Sequence, residues 1–339
     1  MRVSMFLAAL CVLVLGWADK AHAAQPLADH STAQLGRLID YTGLKAAGLP
    51  DQMLTIWLPP GYDGGTRRYP VLYMHDGHNL FDPAKSNFNK VWRADKAMLA
   101  VAHRTRTEPH IIVGIWAPGT DRYRQYLPRP IYDAASPALR AQMDKLAGGP
   151  IISDAYLRWM TDELKPWVDT QFRTKTDAAN TAIAGSSMGG LMSCYAFMAR
   201  PDIFGQAACV SSHWPSVDPR EVGPTNPELQ ALLTNWFRQA LGAPGHRRLW
   251  MDHGTATLDA FYAPYQAVVD AQVSANGWQK DRDFESRVYH GAEHDEDAWA
   301  ARLPEILGWL LRSKAEHTEK HRRKDSRSDQ SYPTSPNHK

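Results

Sequence analysis

Short apolar runs alternate with longer stretches of helical periodicity along this chain. The runs are bounded by turn residues and have the continuous hydrophobicity expected of strands that are covered on both faces. They occupy residues 53–58, 71–74, 111–116, 205–211, 248–252 and 284–289, and one more run directly precedes Gly185.

Helical spacing is clearest in three segments, 157–168, 259–276 and 299–311. Apolar residues three and four positions apart predict helices that pack one face on a sheet. Strands and helices alternate, and crossovers between parallel strands are right-handed. The pattern therefore predicts an α/β fold with a mostly parallel central sheet and helices on both faces.

Two proline-rich segments show neither the apolar run of a strand nor the apolar spacing of a helix. Residues 118–150 are predicted to be irregular, and within them Arg122, Arg124 and Tyr126 either line a substrate mouth or lie on a solvated loop. Residues 215–235 contain four prolines and are predicted to form a lid or cap.

The two ends of the chain do not fit the folded pattern. An apolar stretch at 5–17, followed by Ala21-His22-Ala23, is typical of a cleavable secretory signal peptide. The stretch is too short for a stable membrane anchor. Residues 1–23 are therefore predicted to be removed and the protein to be periplasmic or secreted. Residues 312–339 have almost no apolar residues and are predicted to be a basic, disordered tail, which leaves 24–311 as one folded domain.

The distribution of charge along the chain does not support a nucleic-acid-binding protein. The formal net charge of +2 arises in residues 312–339, where eight Lys and Arg accompany four Asp and Glu. The domain itself is slightly acidic and has no nucleic-acid-binding signature.

Cys194 and Cys209 are the only cysteines of the predicted mature chain, and both lie in apolar surroundings. They are predicted to be buried free thiols, although export makes a disulfide chemically possible.

The strongest candidate chemistry lies at Gly185-Ser186-Ser187-Met188-Gly189, which matches Gly-x-Ser-x-Gly. A predicted strand precedes the motif and a helix follows it, as in a nucleophile elbow. The two glycines leave room for a sharp turn that exposes the Ser187 hydroxyl at the end of the sheet. The Met188 N–H at the helix start is a candidate oxyanion donor. The simpler alternative is a glycine-rich turn in which Ser187 only caps a helix.

A serine hydroxyl needs a base and an orienting acid to act as a nucleophile near neutral pH. Loops at the carboxyl ends of parallel strands meet at one edge of the sheet. In the order Ser, Asp, His, those loops supply His294 after the last strand and either Asp259 or Asp252 before it. Asp259 is favoured because it lies far enough beyond its strand to reach back under an imidazole, with Asp252 as a helper or a buried hydrogen-bonding residue. A helix cap for Asp259 and a surface position for His294 are the alternatives.

The loop after the strand at 71–74 is the expected source of a second oxyanion donor. Gly77 permits close approach, so the His78 N–H is the best candidate. Metal binding finds less support, because the spacing of His75, His78, His290 and His294 matches no helical zinc motif. No glycine-rich phosphate loop follows a strand either. The sequence therefore predicts neither a metal nor a cofactor.

Five ordered motifs resemble those of the putative esterase family. They are V-L-Y-M-H-D-G-H-N-L-F-D at 71–82, E-L-K-P at 163–166, A-I-A-G-S-S-M-G-G at 182–190, D-H-G-T-A-T-L-D at 252–259 and G-A-E-H-D-E-D-A-W at 291–299. The family contains enterochelin-type trilactone esterases, feruloyl and acetyl esterases, and mycolyltransferases. The resemblance spans about residues 50–311. It implies an α/β-hydrolase fold, Ser187 as nucleophile, His294 as base and an acid at the position of Asp259.

These observations together predict an exported serine carboxylesterase that hydrolyses a small-molecule ester through an acyl-enzyme. Trp92, Tyr126 and Trp214 are candidates for an apolar substrate pocket, although such residues are more often packed in a core. The substrate stays open between a siderophore trilactone and an aromatic or short-acyl ester. Acyl transfer of the mycolyltransferase type is one alternative function, and a non-catalytic binding protein on a hydrolase scaffold is another.

Overall fold

Nine strands form a single twisted sheet in the computed structural model, which describes residues 25–32, 34–223 and 225–312. The predicted signal peptide with its cleavage boundary, and the tail beyond Arg312, lie outside these residues. The strands are β1 (Gln25–Thr32), β2 (Gly36–Leu44), β3 (Gln52–Leu58), β4 (Val71–His75), β5 (Ile111–Ile115), β6 (Thr181–Ser186), β7 (Gln206–Val210), β8 (Arg248–Gly254) and β9 (Phe284–Tyr289).

The sheet is parallel over most of its width, as the alternation of strands and helices predicts. Its order is β1-β2-β3-β5-β4-β6-β7-β8-β9. The six strands from β5 to β9 in this order pair in parallel, and β1, β2 and β3 extend the β5 edge as an antiparallel ribbon. Strands β1 and β2 were not predicted from the sequence, since their mixed polar and apolar residues suit the outer part of a sheet better than its centre.

Eleven α-helices connect or flank the strands in the described part of the chain. They are α1 (Ala94–Thr105), α2 (Arg122–Tyr126), α3 (Arg129–Ala134), α4 (Pro137–Ala147), α5 (Ser153–Arg158), α6 (Lys165–Gln171), α7 (Met188–Ala199), α8 (Pro219–Val222), α9 (Pro227–Ala240), α10 (Ala263–Ala275) and α11 (Glu296–Leu310). A π-helical segment, Trp159–Leu164, joins α5 to α6. None of the helices in the described ranges is long and apolar enough to cross a membrane.

Apolar side chains from both faces of the sheet are buried, so the core has two layers. One layer packs against α1 and α11 and includes Trp250 and Leu303. The other packs against α7, α9 and α10 and includes Phe197, Phe237 and Val269. Burial on both faces explains why the central strands read as continuous apolar runs rather than as alternating patterns.

The two proline-rich segments are helical, contrary to the sequence prediction. Residues 118–150 contain α2, α3 and α4, and residues 215–235 contain α8 and most of α9. Four of the prolines, Pro130, Pro137, Pro219 and Pro227, lie at the first or second position of α3, α4, α8 and α9, where their missing N–H costs no hydrogen bond. Leu229 and Leu233 of α9 are buried, and α9 packs against α10, so the second segment packs into the core rather than forming a lid.

The prediction of two free thiols is also wrong. Cys194 on α7 and Cys209 on β7 form a disulfide, with their Cα atoms 5.9 Å apart. Helix α7 packs directly on β7, which brings the two residues into the range that a disulfide can bridge. The apolar surroundings were interpreted correctly, since both residues are buried. The packing of the helix on the strand decides the pairing.

Candidate active site

Ser187 occupies the sharp turn between β6 and α7. Its side chain is partly exposed and its backbone has φ 57° and ψ −125°, a costly conformation for a residue other than glycine. A Cβ on Gly185 would lie 2.6 Å from the Gly189 carbonyl oxygen, and a Cβ on Gly190 would lie 2.6 Å from Ser212 Oγ. The turn therefore requires glycine on both sides of Ser187, as a nucleophile elbow does.

His294 and Asp259, which are 35 residues apart in sequence, meet at the same edge of the sheet. His294 Nδ1 lies 2.5 Å from Asp259 Oδ1. Asp259 Oδ2 accepts hydrogen bonds from the Gly254 N–H at 2.5 Å and from Ser211 Oγ at 2.6 Å. Burial alone would raise the pKa of Asp259, but these three partners together lower it. The carboxylate is therefore ionised and held in one orientation.

Asp252, the alternative acid, has different partners. Its Oδ1 accepts from Arg302 Nη2 at 2.8 Å and its Oδ2 from Trp250 Nε1 at 2.7 Å. Asp252 and Arg302 are both buried. Burial raises the pKa of Asp252, although the positive charge of Arg302 acts to lower it. Asp252 thus forms a buried ion pair, while Asp259 contacts the histidine.

Ser187 and His294 line one cavity of about 430 Å³ at the carboxyl edge of the sheet. Most of the residues that line it are polar or charged in type, and Phe88 and Trp299 add aromatic surface. The other lining residues are Asp76, Asn79, Asn87, Lys90, Arg122, Ser186, Asp295 and Glu296. The volume lies toward the small end of the range for ligand pockets.

The Ser187 hydroxyl lies beside Tyr262 and is not directed at His294. Within the described residues no hydrogen bond joins Ser187 to His294. Burial raises the pKa of Tyr262 well above its ordinary value, and the neighbouring Ser187 hydroxyl partly offsets that rise. The Tyr262 hydroxyl also lies 2.6 Å from His213 Nδ1. Catalytic hydrogen bonds are often loose without substrate and tighten when it binds.

The two candidate oxyanion donors lie on adjacent strand ends, because β4 and β6 are direct neighbours in the sheet. His78 belongs to a 3₁₀ turn, Gly77–Asn79, that follows β4, and Met188 is the first residue of α7. Neither the His78 N–H nor the Met188 N–H donates to a backbone carbonyl in the described turns and helix ends. A Cβ on Gly77 would lie 2.4 Å from the Gly114 carbonyl carbon, so glycine permits the turn to pack on β5.

Arg122 is the one predicted substrate residue that reaches the cavity. Its Nε and Nη2 each donate to an oxygen of Asp76 at 2.7 Å. Burial would raise the pKa of Asp76, but the Arg122 charge and these hydrogen bonds lower it. Asp76 has a φ of 57° and directly precedes the turn that carries His78, so the ion pair ties α2 to the candidate oxyanion turn.

The other four predicted substrate residues lie elsewhere. Trp92, Tyr126 and Trp214 are buried in the core, and Arg124 pairs with Asp121 at 2.7 Å. None of the four is among the residues that line the cavity. Helix α2 turns Tyr126 inward and leaves Arg124 beside Asp121, whereas Trp92 and Trp214 pack in the core from the loops that precede α1 and follow β7.

Several residues of the site were not singled out from the sequence. Ser211 donates to Asp259, Arg302 donates to Ser211, and Asp76 lines the cavity and accepts from Arg122. Tyr262 lies beside Ser187. Ser211 ends a predicted strand and Asp76 closely follows another at the carboxyl edge, and that position is the signal that could have identified them. Within the described ranges, no group of three or more His, Cys, Asp or Glu residues is placed to hold a metal ion.

The sheet order, the elbow at Ser187 and the crossover helices define an α/β-hydrolase fold. Residues 50–310 match the model of the family described as "Putative esterase". The chain belongs to that family.

Two curated relatives match about half of the chain. The uncharacterized protein YbbA of Bacillus subtilis is 26% identical over 165 residues, and an endo-1,4-beta-xylanase/feruloyl esterase of Xylanibacter ruminicola is 27% identical over 158 residues. The matches cover 48% and 45% of this chain, and 58% and 18% of the relatives.

Solved structures share the fold at low sequence identity. An IroE-like serine hydrolase from Shewanella oneidensis has a TM-score of 0.57 at 18% identity, with 80% of this chain and 79% of that chain covered. A ferulic acid esterase has a TM-score of 0.53 at 18% identity, with 80% and 96% covered. The ferric enterobactin esterase of Salmonella typhimurium has a TM-score of 0.57 at 18% identity, with 84% and 59% covered.

Proposed function

We propose that this protein is a serine carboxylesterase with Ser187 as nucleophile, His294 as base and Asp259 as orienting acid. The observation that carries the proposal is the 2.5 Å contact between His294 Nδ1 and a buried, ionised Asp259, with His294 and the strained Ser187 in one cavity. Family membership supports the same reaction class. A structural histidine would not need a carboxylate that is itself held by two further donors.

The proposed reaction follows the acyl-enzyme route. Ser187 Oγ attacks the ester carbonyl while His294 Nε2 takes its proton, and Asp259 stabilises the imidazolium. The Met188 and His78 N–H groups would stabilise the oxyanion. His294 then returns the proton to the leaving alcohol, and water releases the acid by the same steps in reverse order.

The cavity supports a short or single-ring acyl group rather than a long alkyl chain. A volume of about 430 Å³ lies toward the small end of the range for ligand pockets, which favours a compact acyl group. Phe88 is exposed at the cavity mouth and gives one aromatic contact. The printed names of the similar proteins include feruloyl and enterobactin esterases, and esters of aromatic acids are therefore the first substrates to test.

Export is part of the same proposal. The pattern of residues 1–23 is that of a signal peptide, and the Cys194–Cys209 disulfide suits an oxidising compartment. Expression of the full chain in a Gram-negative host, followed by cell fractionation and N-terminal sequencing, tests it. A mature protein that begins at Ala24 in the periplasm or medium is expected, and an intact Met1 in the cytoplasm would contradict export.

The activity is tested with p-nitrophenyl esters from acetate to laurate and with a feruloyl ester. Ser187→Ala should lower kcat by about 10⁵-fold or more. His294→Gln should do nearly the same, whereas His290→Gln is the matched control, because His290 is an exposed residue of the same loop and should keep full activity. Activity that survives Ser187→Ala would refute the proposal.

A further inference from the structure

Ser211 lies at the centre of a buried polar network behind the candidate acid. It directly follows β7, is fully buried and has a φ of 40°. Its Oγ lies 2.6 Å from Asp259 Oδ2, 2.6 Å from Arg302 Nη2 and 3.2 Å from Trp299 Nε1. Arg302 Nη2 also donates to Asp252 Oδ1 at 2.8 Å. The network thus joins the two buried carboxylates through one arginine and one hydroxyl.

The direction of the Ser211 hydroxyl proton follows from its neighbours. The guanidinium of Arg302 and the indole N–H of Trp299 can only donate, so they occupy the two lone pairs of Ser211 Oγ. Ser211 must therefore donate its own proton, and Asp259 Oδ2 is the acceptor within reach. With the Gly254 N–H on the same oxygen, Oδ2 is fully engaged.

We propose that Ser211 is a positioning residue, which fixes Asp259 so that only Oδ1 is offered to His294. Because Asp259 is ionised and accepts from Nδ1, the proton of the neutral imidazole lies on Nδ1 and leaves Nε2 free to take the Ser187 proton. Arg302 and Trp299 act through Ser211 by fixing the direction of its hydroxyl. This inference rests on the esterase proposal, because it concerns the same triad.

The sign of the expected effect follows from the hydrogen bonding of the carboxylate. A carboxylate that loses a donor becomes a stronger acceptor, so Asp259 should hold the imidazolium form of His294 more tightly in Ser211→Ala. The acid limb of the kcat/KM–pH profile should therefore move to higher pH, by about 0.5 to 1 unit. We expect kcat to fall about 10- to 100-fold and KM to change little, because Ser211 does not line the cavity.

Ser212→Ala is the matched control. Ser212 is the next residue and is equally buried, but its Oγ has no hydrogen-bond partner within the described part of the chain. Its removal should leave the pH profile unchanged. Ser211→Gly is the second variant, because a φ of 40° suits glycine; it removes the hydroxyl without backbone strain, and its acid limb should move in the same direction as that of Ser211→Ala.

The pH profiles and melting temperatures of wild type, Ser187→Ala and the three variants separate the possible failures. If Ser187→Ala is inactive and both Ser211 variants move the acid limb while Ser212→Ala does not, the inference holds. If the Ser211 variants lose only melting temperature and keep the wild-type limb, Ser211 is merely structural and the inference is overturned. If Ser187→Ala remains active, the esterase proposal itself fails.

Discussion

Removal of the Cys194–Cys209 disulfide should destabilise the protein by about 3 kcal/mol. The two cysteines are 15 residues apart in sequence, and closing a loop of that length in the unfolded chain accounts for roughly 3 kcal/mol in the chain-entropy model. For a domain of this size, that corresponds to a melting temperature lower by roughly 5 to 10 °C. The bond also ties α7, which begins next to Ser187, to β7, which ends next to Ser211.

The assay compares Cys194→Ala, Cys209→Ala and the double variant by thermal and urea unfolding, each with and without reductant. Each single variant should lose nearly the full amount, and the double variant little more, because all three lack the same crosslink. Wild type in reductant should approach the variants once the buried bond is reduced. Two thiols that alkylate in denaturant without prior reduction, together with additive single effects, would refute the reasoning and restore the free-thiol interpretation.

Three further predictions concern the acid, the elbow and acid stability. Asp259→Asn should lower kcat by about 10⁴-fold, since it favours the wrong histidine tautomer. Asp252→Asn should instead act mainly on the melting temperature. Equal losses of kcat in the two variants, measured at a temperature where both are folded, would contradict this assignment. Gly190→Ala should reduce soluble, active protein sharply, because its Cβ would lie 2.9 Å from the Val210 carbonyl oxygen; a normal melting curve would count against that clash. Burial lowers the pKa of His110 to about 3, so below about pH 6.5 the unfolded state binds a proton that the folded state does not. Through His110, the free energy of unfolding should therefore fall as pH drops from 6.5 toward 3, by on the order of 1 kcal/mol per pH unit. Burial lowers the pKa of His75 and His213 as well, so His110→Gln should reduce the slope in urea titrations without abolishing it, and an unchanged slope would contradict the prediction.

Elements whose signal is local were predictable from the sequence. The central strands are short apolar runs between turn residues, and each run at 53–58, 71–74 and 284–289 corresponds to a strand of the sheet. The meeting of His294 and Asp259 also follows from chain order, because parallel strands deliver their following loops to one edge. Strand order limits the acid to the end of β8 and the loop after it, and the contacts that distinguish Asp259 from Asp252 are seen only in the structure.

Features that depend on packing between distant elements were not predictable. The disulfide requires α7 to lie on β7 at one particular register, and the Arg122–Asp76 pair joins residues that are 46 positions apart. The proline-rich segments were misread because proline is a helix breaker inside a helix but a good first residue. Trp214 and Tyr126 could not be assigned to a pocket or to the core from their chemistry alone, since both environments favour aromatic side chains.

The order in which the sheet is completed has a consequence for when activity arises. Ser187, Asp259 and His294 follow β6, β8 and β9, and among the described residues β9 is both the last strand in sequence and an outer strand of the sheet. A chain that has formed the sheet only as far as β8 holds the proposed nucleophile and acid but lacks the base. Ester hydrolysis should therefore begin only after β9 has paired and α11 has packed. In a refolding experiment, turnover would report the final docking step, whereas tryptophan fluorescence would respond to the earlier collapse of the core.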